Sequence, residues 1–122
     1  MHRSRLGCVI IDCQTDDLER EARFWSQALG YETEPEDPSY ITLKSPPEEV
    51  AMLLQKVEHP SRVHIDIETD DKEAEAARLE KLGAKRIAAI KDWIVMEAPS
   101  GHRFCLVNPQ RKDFEAAANA WS

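Results

Sequence analysis

The sequence predicts an α+β fold built from two paired β-α-β-β-β modules, and three observations carry that expectation. The segment Ile11-Asp12-Cys13-Gln14-Thr15-Asp16-Asp17 returns 54 positions later as Ile65-Asp66-Ile67-Glu68-Thr69-Asp70-Asp71, identical at five of seven positions. Each copy runs into a helix-patterned stretch that stops at a Leu-Gly pair, Leu29-Gly30 and Leu82-Gly83, once one single-residue gap is allowed. Short strand-like runs separated by turn residues follow each helix. Two copies of about 55 residues are too few to stack as a solenoid, so two related halves closing around a shared cavity is the expected arrangement.

The elements follow in order. Gly7 to Cys13 is rich in Val and Ile and reads as a buried strand. Thr15 or Asp16 can cap the next helix, with Glu19 at capping-box spacing from Asp16. Leu18, Ala22, Trp25 and Leu29 form its apolar stripe, and Gly30 ends it in a left-handed cap. Tyr31 to Glu34 is a strand broken by the Pro35-Glu36-Asp37-Pro38 turn, and Ser39 to Lys44 and Val50 to Val57 complete module one, about residues 7–57. Module two, about 62–108, repeats the order. It has a strand from Arg62 to Glu68, a helix capped by Thr69, Asp70 or Asp71, and strands from Ala84 to Ile90, Trp93 to Ala98 and Arg103 to Val107. A C-terminal helix is expected over about 110–121, with Phe114 and Trp121 on one face. The whole chain is expected to form a single domain.

Composition narrows the function classes. The chain has 122 residues, is 42% hydrophobic and 32% charged, and carries a formal net charge of −7. Spread basic residues and an acidic balance argue against a nucleic-acid partner, which is held mainly by phosphate neutralisation. No apolar run approaches the ~20 residues of a membrane span, and no secretory signal opens the chain. Three cysteines (Cys8, Cys13, Cys105) sit in apolar strand-like runs without a CxxC pair, as expected of small buried hydrophobes in a reducing cytoplasm. No nucleophile elbow, phosphate loop or dinucleotide fingerprint is present.

Several motifs occur together in a particular order: Phe24-Trp25 before Leu29-Gly30-Tyr31, His64-Ile65-Asp66-Ile67 opening the second half, Leu82-Gly83-Ala84, and Pro99-Ser100-Gly101-His102-Arg103-Phe104-Cys105-Leu106 closing the last hairpin. With the paired modules, these residues resemble the glyoxalase/bleomycin-resistance/dioxygenase proteins, the vicinal oxygen chelate superfamily, over about Gly7 to Asn108. The resemblance implies a curved, cup-shaped mixed sheet with helices outside and a ligand site on the concave face. In metal-using members, His, Glu or Gln on the inner strands hold a divalent cation.

Carried over position by position, the metal ligands are incomplete. The first family ligand falls on His64, whose counterpart under the repeat is Ile10. The second falls within Phe104-Cys105-Leu106, so Cys105 stands where a carboxylate belongs. Its expected match in the first half is Met52-Leu53-Leu54, and a two-residue slide would instead bring Gln55. No metal site and no cofactor is therefore expected; a metal, if held, would use His64 with Gln55.

Strand alternation groups His64, Asp66 and Glu68 on one face. His64 is open to three roles: a polar residue satisfied by Asp66 or Asp12, a ligand contact, or an acid-base group beside a carboxylate. Asp12 and Asp66, equivalent in the repeat, can clamp a ligand or fasten structure through Arg62, Arg103 or backbone amides. Tyr40 or Trp93 can supply a flat stacking surface. Trp25 belongs to the core stripe and His102 to an exposed turn. The expected function is binding of a small organic molecule in the cup, lined by His64, Asp66, Asp12, Tyr40, Trp93, Gln55 and Cys105. The expected setting is a cytoplasmic homodimer without nucleic-acid or membrane partners. One alternative is a metal-dependent lyase, isomerase or dioxygenase using His64, with His64 and Asp66 as the catalytic candidates. Another is an interaction module whose cup is filled by its own side chains.

Overall fold

The computed structural model describes residues 1–122. The chain divides into a first unit, Cys8–His64, and a second, Met1–Gly7 with Ile65–Ser122. Both show the expected β-α-β-β-β order, so the class is α+β with mixed strand pairing.

In the first unit the strands are ordered β2 (Glu32–Asp37), β3 (Tyr40–Lys44), β4 (Ala51–Lys56) and β1 (His2–Cys13). β1 runs parallel to β4, from Cys8 opposite Ala51 to Cys13 opposite Lys56, and β3 is antiparallel to β4 and β2. Helix α1 (Leu18–Leu29) lays Leu18, Ala22 and Trp25 on Cys13, Ile41, Leu43 and Leu54. Leu43 and Leu54 are sealed from solvent, and burial of each such side chain contributes about 1.5–3 kcal/mol. β2 runs on through Pro35 instead of ending there, because only one of its edges is paired in this unit and a proline without an N–H is tolerated on the open side. The register shifts between Pro35 and Asp37.

The second unit repeats the plan. β5 (Arg62–Thr69) is parallel to β8 (Arg103–Val107), which pairs antiparallel with β7 (Trp93–Glu97), and β7 with β6 (Lys85–Ile90). Helix α2 (Lys72–Lys81) places Ala76 and Leu79 on Ile94, Met96, Phe104 and Leu106.

The helix caps show the repeat at atomic detail. Asp17 accepts from the Arg20 N–H at 3.1 Å and Asp71 from the Ala74 N–H at 3.0 Å. The cap on α1 therefore lies one residue beyond the expected Asp16. The threonines instead fold the approach, as Thr15 Oγ1 accepts from the Asp17 N–H and Thr69 Oγ1 from the Asp71 N–H. Gly30 (φ 76°) and Gly83 (φ 109°) take the left-handed turns that follow the helices.

Both ends of the chain differ from expectation. The first strand starts five residues before the expected Gly7: β1 begins at His2, and His2–Ser4 pairs with a short β9 (Asn119–Trp121). The expected C-terminal helix shrinks to one turn, α3 (Phe114–Ala117), which ends where Ala118 turns extended. Side-chain contacts outcompete helix propensity there. Trp121 donates its indole N–H to Ser4 Oγ at 2.8 Å, and the Arg78 guanidinium stacks 3.9 Å from its ring centroid. Phe114 is buried beneath Arg5, so this face packs on its own unit. No helix is long and apolar enough to cross a membrane.

Candidate functional site

In each unit one sheet face is taken by its helix, and the opposite face carries the chemistry. In the first unit Asp12 lies opposite Gln55, and Gln55 opposite Tyr40, so the three side chains form a row across β1, β4 and β3. Gln55 donates its amide N–H to Tyr40 Oη at 3.0 Å. In the second unit Asp66 lies opposite Cys105, and Cys105 opposite Val95. Because Asp12 and Asp66 are equivalent, these pairings make Gln55 the counterpart of Cys105. The expected match of Cys105 with Leu53 is therefore wrong by two residues, since Leu53 pairs with Ile10. Strand period alone cannot detect a two-residue slip, which keeps every side chain on its own face.

Asp12 is the most enclosed polar group on the first unit's row, its side chain only 1% exposed. His64 Nδ1–H donates to its Oδ2 at 2.8 Å. One partner offered by the sequence is thus realised, since His64 bonds Asp12, which puts the proton on Nδ1 and leaves Nε2 as its second polar atom. Two further side chains approach the same oxygen, His59 Nε2 at 3.7 Å and the Arg62 guanidinium Nε at 3.6 Å. The other oxygen, Oδ1, is buried without a hydrogen bond. Arg62 had been a possible fastening partner for Asp12, but His59 had carried no assignment. The available signal was its position, three residues before β5 on the linker that Gln14 ties down. Gln14 donates its side-chain amide to the Glu58 carbonyl at 2.7 Å and receives Ser61 Oγ on its own N–H at 2.9 Å.

In the second unit Asp66 and Cys105 bring a carboxylate oxygen and a thiol within 4.8 Å. Alternation along β7 puts Trp93 on the same face as Val95 and Cys105, with the Lys91 ammonium 5.8 Å from its ring centroid. Asp66, Cys105 and Trp93 are all half-buried. Glu68 continues this face of β5, but it is not available to a ligand. Its Oε1 accepts the Gln110 and Arg111 N–H groups at 2.7 and 3.0 Å, and its Oε2 takes Arg5 Nε–H at 2.5 Å. Arg103, the other possible partner for the aspartates, instead approaches Glu97 at 3.9 Å. His102 is exposed and shares a hydrogen bond with Ser100 Oγ.

Cys13, buried in the first unit, is a poor nucleophile. Burial, with Glu21 and Asp12 nearby, pushes the Cys13 thiol up to about 11. A shallow groove of about 220 Å³ lies on the helix side of the first unit, lined by α1, Thr33, Pro35 and Ile41, and it gathers none of the candidate residues.

The family-type metal set does not fit these residues. A symmetric site needs a donor at Ile10, which is a buried aliphatic side chain, and an oxygen donor at Cys105, which carries a thiol; only its counterpart Gln55 offers an oxygen. A hard divalent cation is held by oxygen donors, and a thiol is the wrong ligand for it.

Residues 8–107 match the model of the glyoxalase-like domain family, and the chain belongs to that family. No curated protein matches it. Among solved structures, the chain is similar to a glyoxalase/bleomycin resistance protein/dioxygenase superfamily member from Vibrio splendidus 12B01, with 20% identity, a TM-score of 0.58, and 84% of this chain and 98% of that one covered. It also resembles an NAD-dependent benzaldehyde dehydrogenase from Legionella pneumophila (10% identity, TM-score 0.63, 84% and 98% covered). An extradiol ring-cleaving dioxygenase from B. fuscum matches with 19% identity and a TM-score of 0.59 over 87% of this chain, which spans only 32% of that enzyme. Identities this low establish the fold and leave the activity open.

Proposed function

We propose that this glyoxalase-like protein binds a small organic molecule on its helix-free sheet faces without a family-type metal. One observation carries the reading: these faces hold polar and aromatic side chains in register, buried Asp12 with half-buried Gln55 and Tyr40 in one unit and half-buried Asp66 and Cys105 with Trp93 in the other. A face meant only for solvent carries Lys and Glu, and a face meant only for core carries aliphatics; a mixture of a few polar groups and flat rings suits a ligand. Ligand-detected NMR with a fragment library in the presence of EDTA tests this. Bound fragments whose signal disappears in Tyr40→Ala or Trp93→Ala support it. Fragments that bind only after a divalent cation is added contradict it.

A second reading has its own support. In the second unit Asp66 and Cys105 offer a carboxylate and a thiol opposite each other on β5 and β8, a donor chemistry that suits zinc. On that reading the protein is a metal-dependent enzyme, and zinc-dependent fragment binding lost in Cys105→Ser is its signature.

A further inference from the structure

The geometry points to an anionic group on the ligand, a carboxylate or phosphate, received by Arg62, beside His59, at the Asp12 end of the first unit's row. This rests on the small-molecule reading and adds the chemical class of the ligand. Four features lead to it, all within Cys8–His64.

Arg62 makes no hydrogen bond in this structure; its one polar contact is the 3.6 Å approach of Nε to Asp12 Oδ2, too long for a hydrogen bond. Its side chain is 47% exposed, so its donors can reach an incoming group. His59 is committed on one side only. Its Nδ1–H donates to the Pro60 carbonyl at 2.8 Å, which aims Nε2 at the same carboxylate from 3.7 Å, again beyond bonding distance and 38% exposed. The one short bond to Asp12 belongs to His64.

Asp12 therefore acts as a buried counter-charge that draws the Arg62 guanidinium toward it without saturating it. Its own accessible surface is nearly nil, so a ligand meets the guanidinium and the neighbouring imidazole rather than the carboxylate. A planar oxyanion matches the guanidinium fork. The formal net charge is −7, so an anion approaching elsewhere meets repulsion, and an unsaturated guanidinium is what would hold it. Gln55 and Tyr40, next along the row, lie where the uncharged remainder of such a ligand would rest.

Benzoate and its uncharged analogue benzamide separate charge from shape. Both are titrated into the full chain, following the histidine ring signals by NMR and the affinity by calorimetry. The expected result is saturable binding of benzoate that moves the His59 signals, about tenfold tighter than benzamide, one such step being a typical yield of a single charged contact. Arg62→Gln should remove that preference and leave benzamide unchanged, Arg62→Lys should restore part of it, and Arg23→Gln on helix α1 should do nothing. Equal binding of benzoate and benzamide overturns the anion assignment while leaving the small-molecule reading intact. Binding of benzoate that survives Arg62→Gln undiminished also overturns it. Saturable binding of neither probe, when library fragments do bind, overturns it as well; no binding by probes or library overturns both.

Discussion

Gln14 and Glu68 occupy the same position of the internal repeat and do the same job with different chemistry. Each fastens the segment that follows the last strand of its module. Gln14 holds the Glu58–Ser61 linker from an exposed position, donating its side-chain amide to the Glu58 carbonyl and its backbone N–H to Ser61 Oγ. Glu68 holds Gln110 and Arg111 from a fully buried one and neutralises Arg5 as well. The repeat conserves the mechanical role, while burial decides whether an amide or a carboxylate with its own cation fills it. The same divergence runs through the functional rows, where Ile10 faces the repeat position of His64 and Gln55 that of Cys105.

The largest effect should come from Glu68→Ala. It strips a buried carboxylate from Arg5 and two backbone N–H groups, and breaking such a pair costs about 3–5 kcal/mol. Urea unfolding reads this directly, and Glu68→Gln should recover part of the loss by keeping an acceptor for the amides. A loss below that of an exposed pair would mean that the tail is fastened elsewhere.

Acid sharpens the comparison next. Burial pushes the Glu75 carboxyl up, but hydrogen bonds from Arg78, His2 and Ser4 outweigh it and hold the group down at about 2, against an ordinary 4.5. A carboxyl depressed by folding stabilises the protein above its unfolded value, and that stability drains away as the pH falls from 4.5 toward 2. Glu75→Gln should be less stable at neutral pH and flatter across that window. Its repeat counterpart, Glu21, makes a partly exposed ion pair with Arg20 at 3.5 Å, so Glu21→Gln should cost at most about 1 kcal/mol. Thermal unfolding as a function of pH checks both.

The two caps should be equal. Asp17→Ala and Asp71→Ala each remove one side-chain bond to a helix N–H, worth about 1 kcal/mol. A large inequality would show that the repeat is not energetically symmetric at the helix starts. The smallest change should be Gln14→Ala, under about 1 kcal/mol, since water replaces an exposed amide.

The fold was legible because the repeat carries its own punctuation: Gly30 and Gly83 and the alternating Ile41–Leu43 and Ile94–Met96 pairs each have one reading, whereas clustered Thr and Asp residues offered several caps and hid Asp17. The rows were less so. Gln55 and Leu53 face the same way, and only strand pairing tells them apart. The role of Glu68 depends on residues 42 and 43 positions away, and the basic start of β1 becomes strand through partners such as Glu75 and Trp121 that no local pattern reveals. Long-range ion pairs leave no periodic trace in a sequence.

The most direct test of the central claim, a family fold without the family metal, is elemental analysis of protein purified without chelator, alongside His64→Ala. The account predicts no near-stoichiometric nickel, zinc, iron or manganese in either protein. A near-stoichiometric metal in the native chain that vanishes in His64→Ala would contradict it and establish the metal-dependent reading instead.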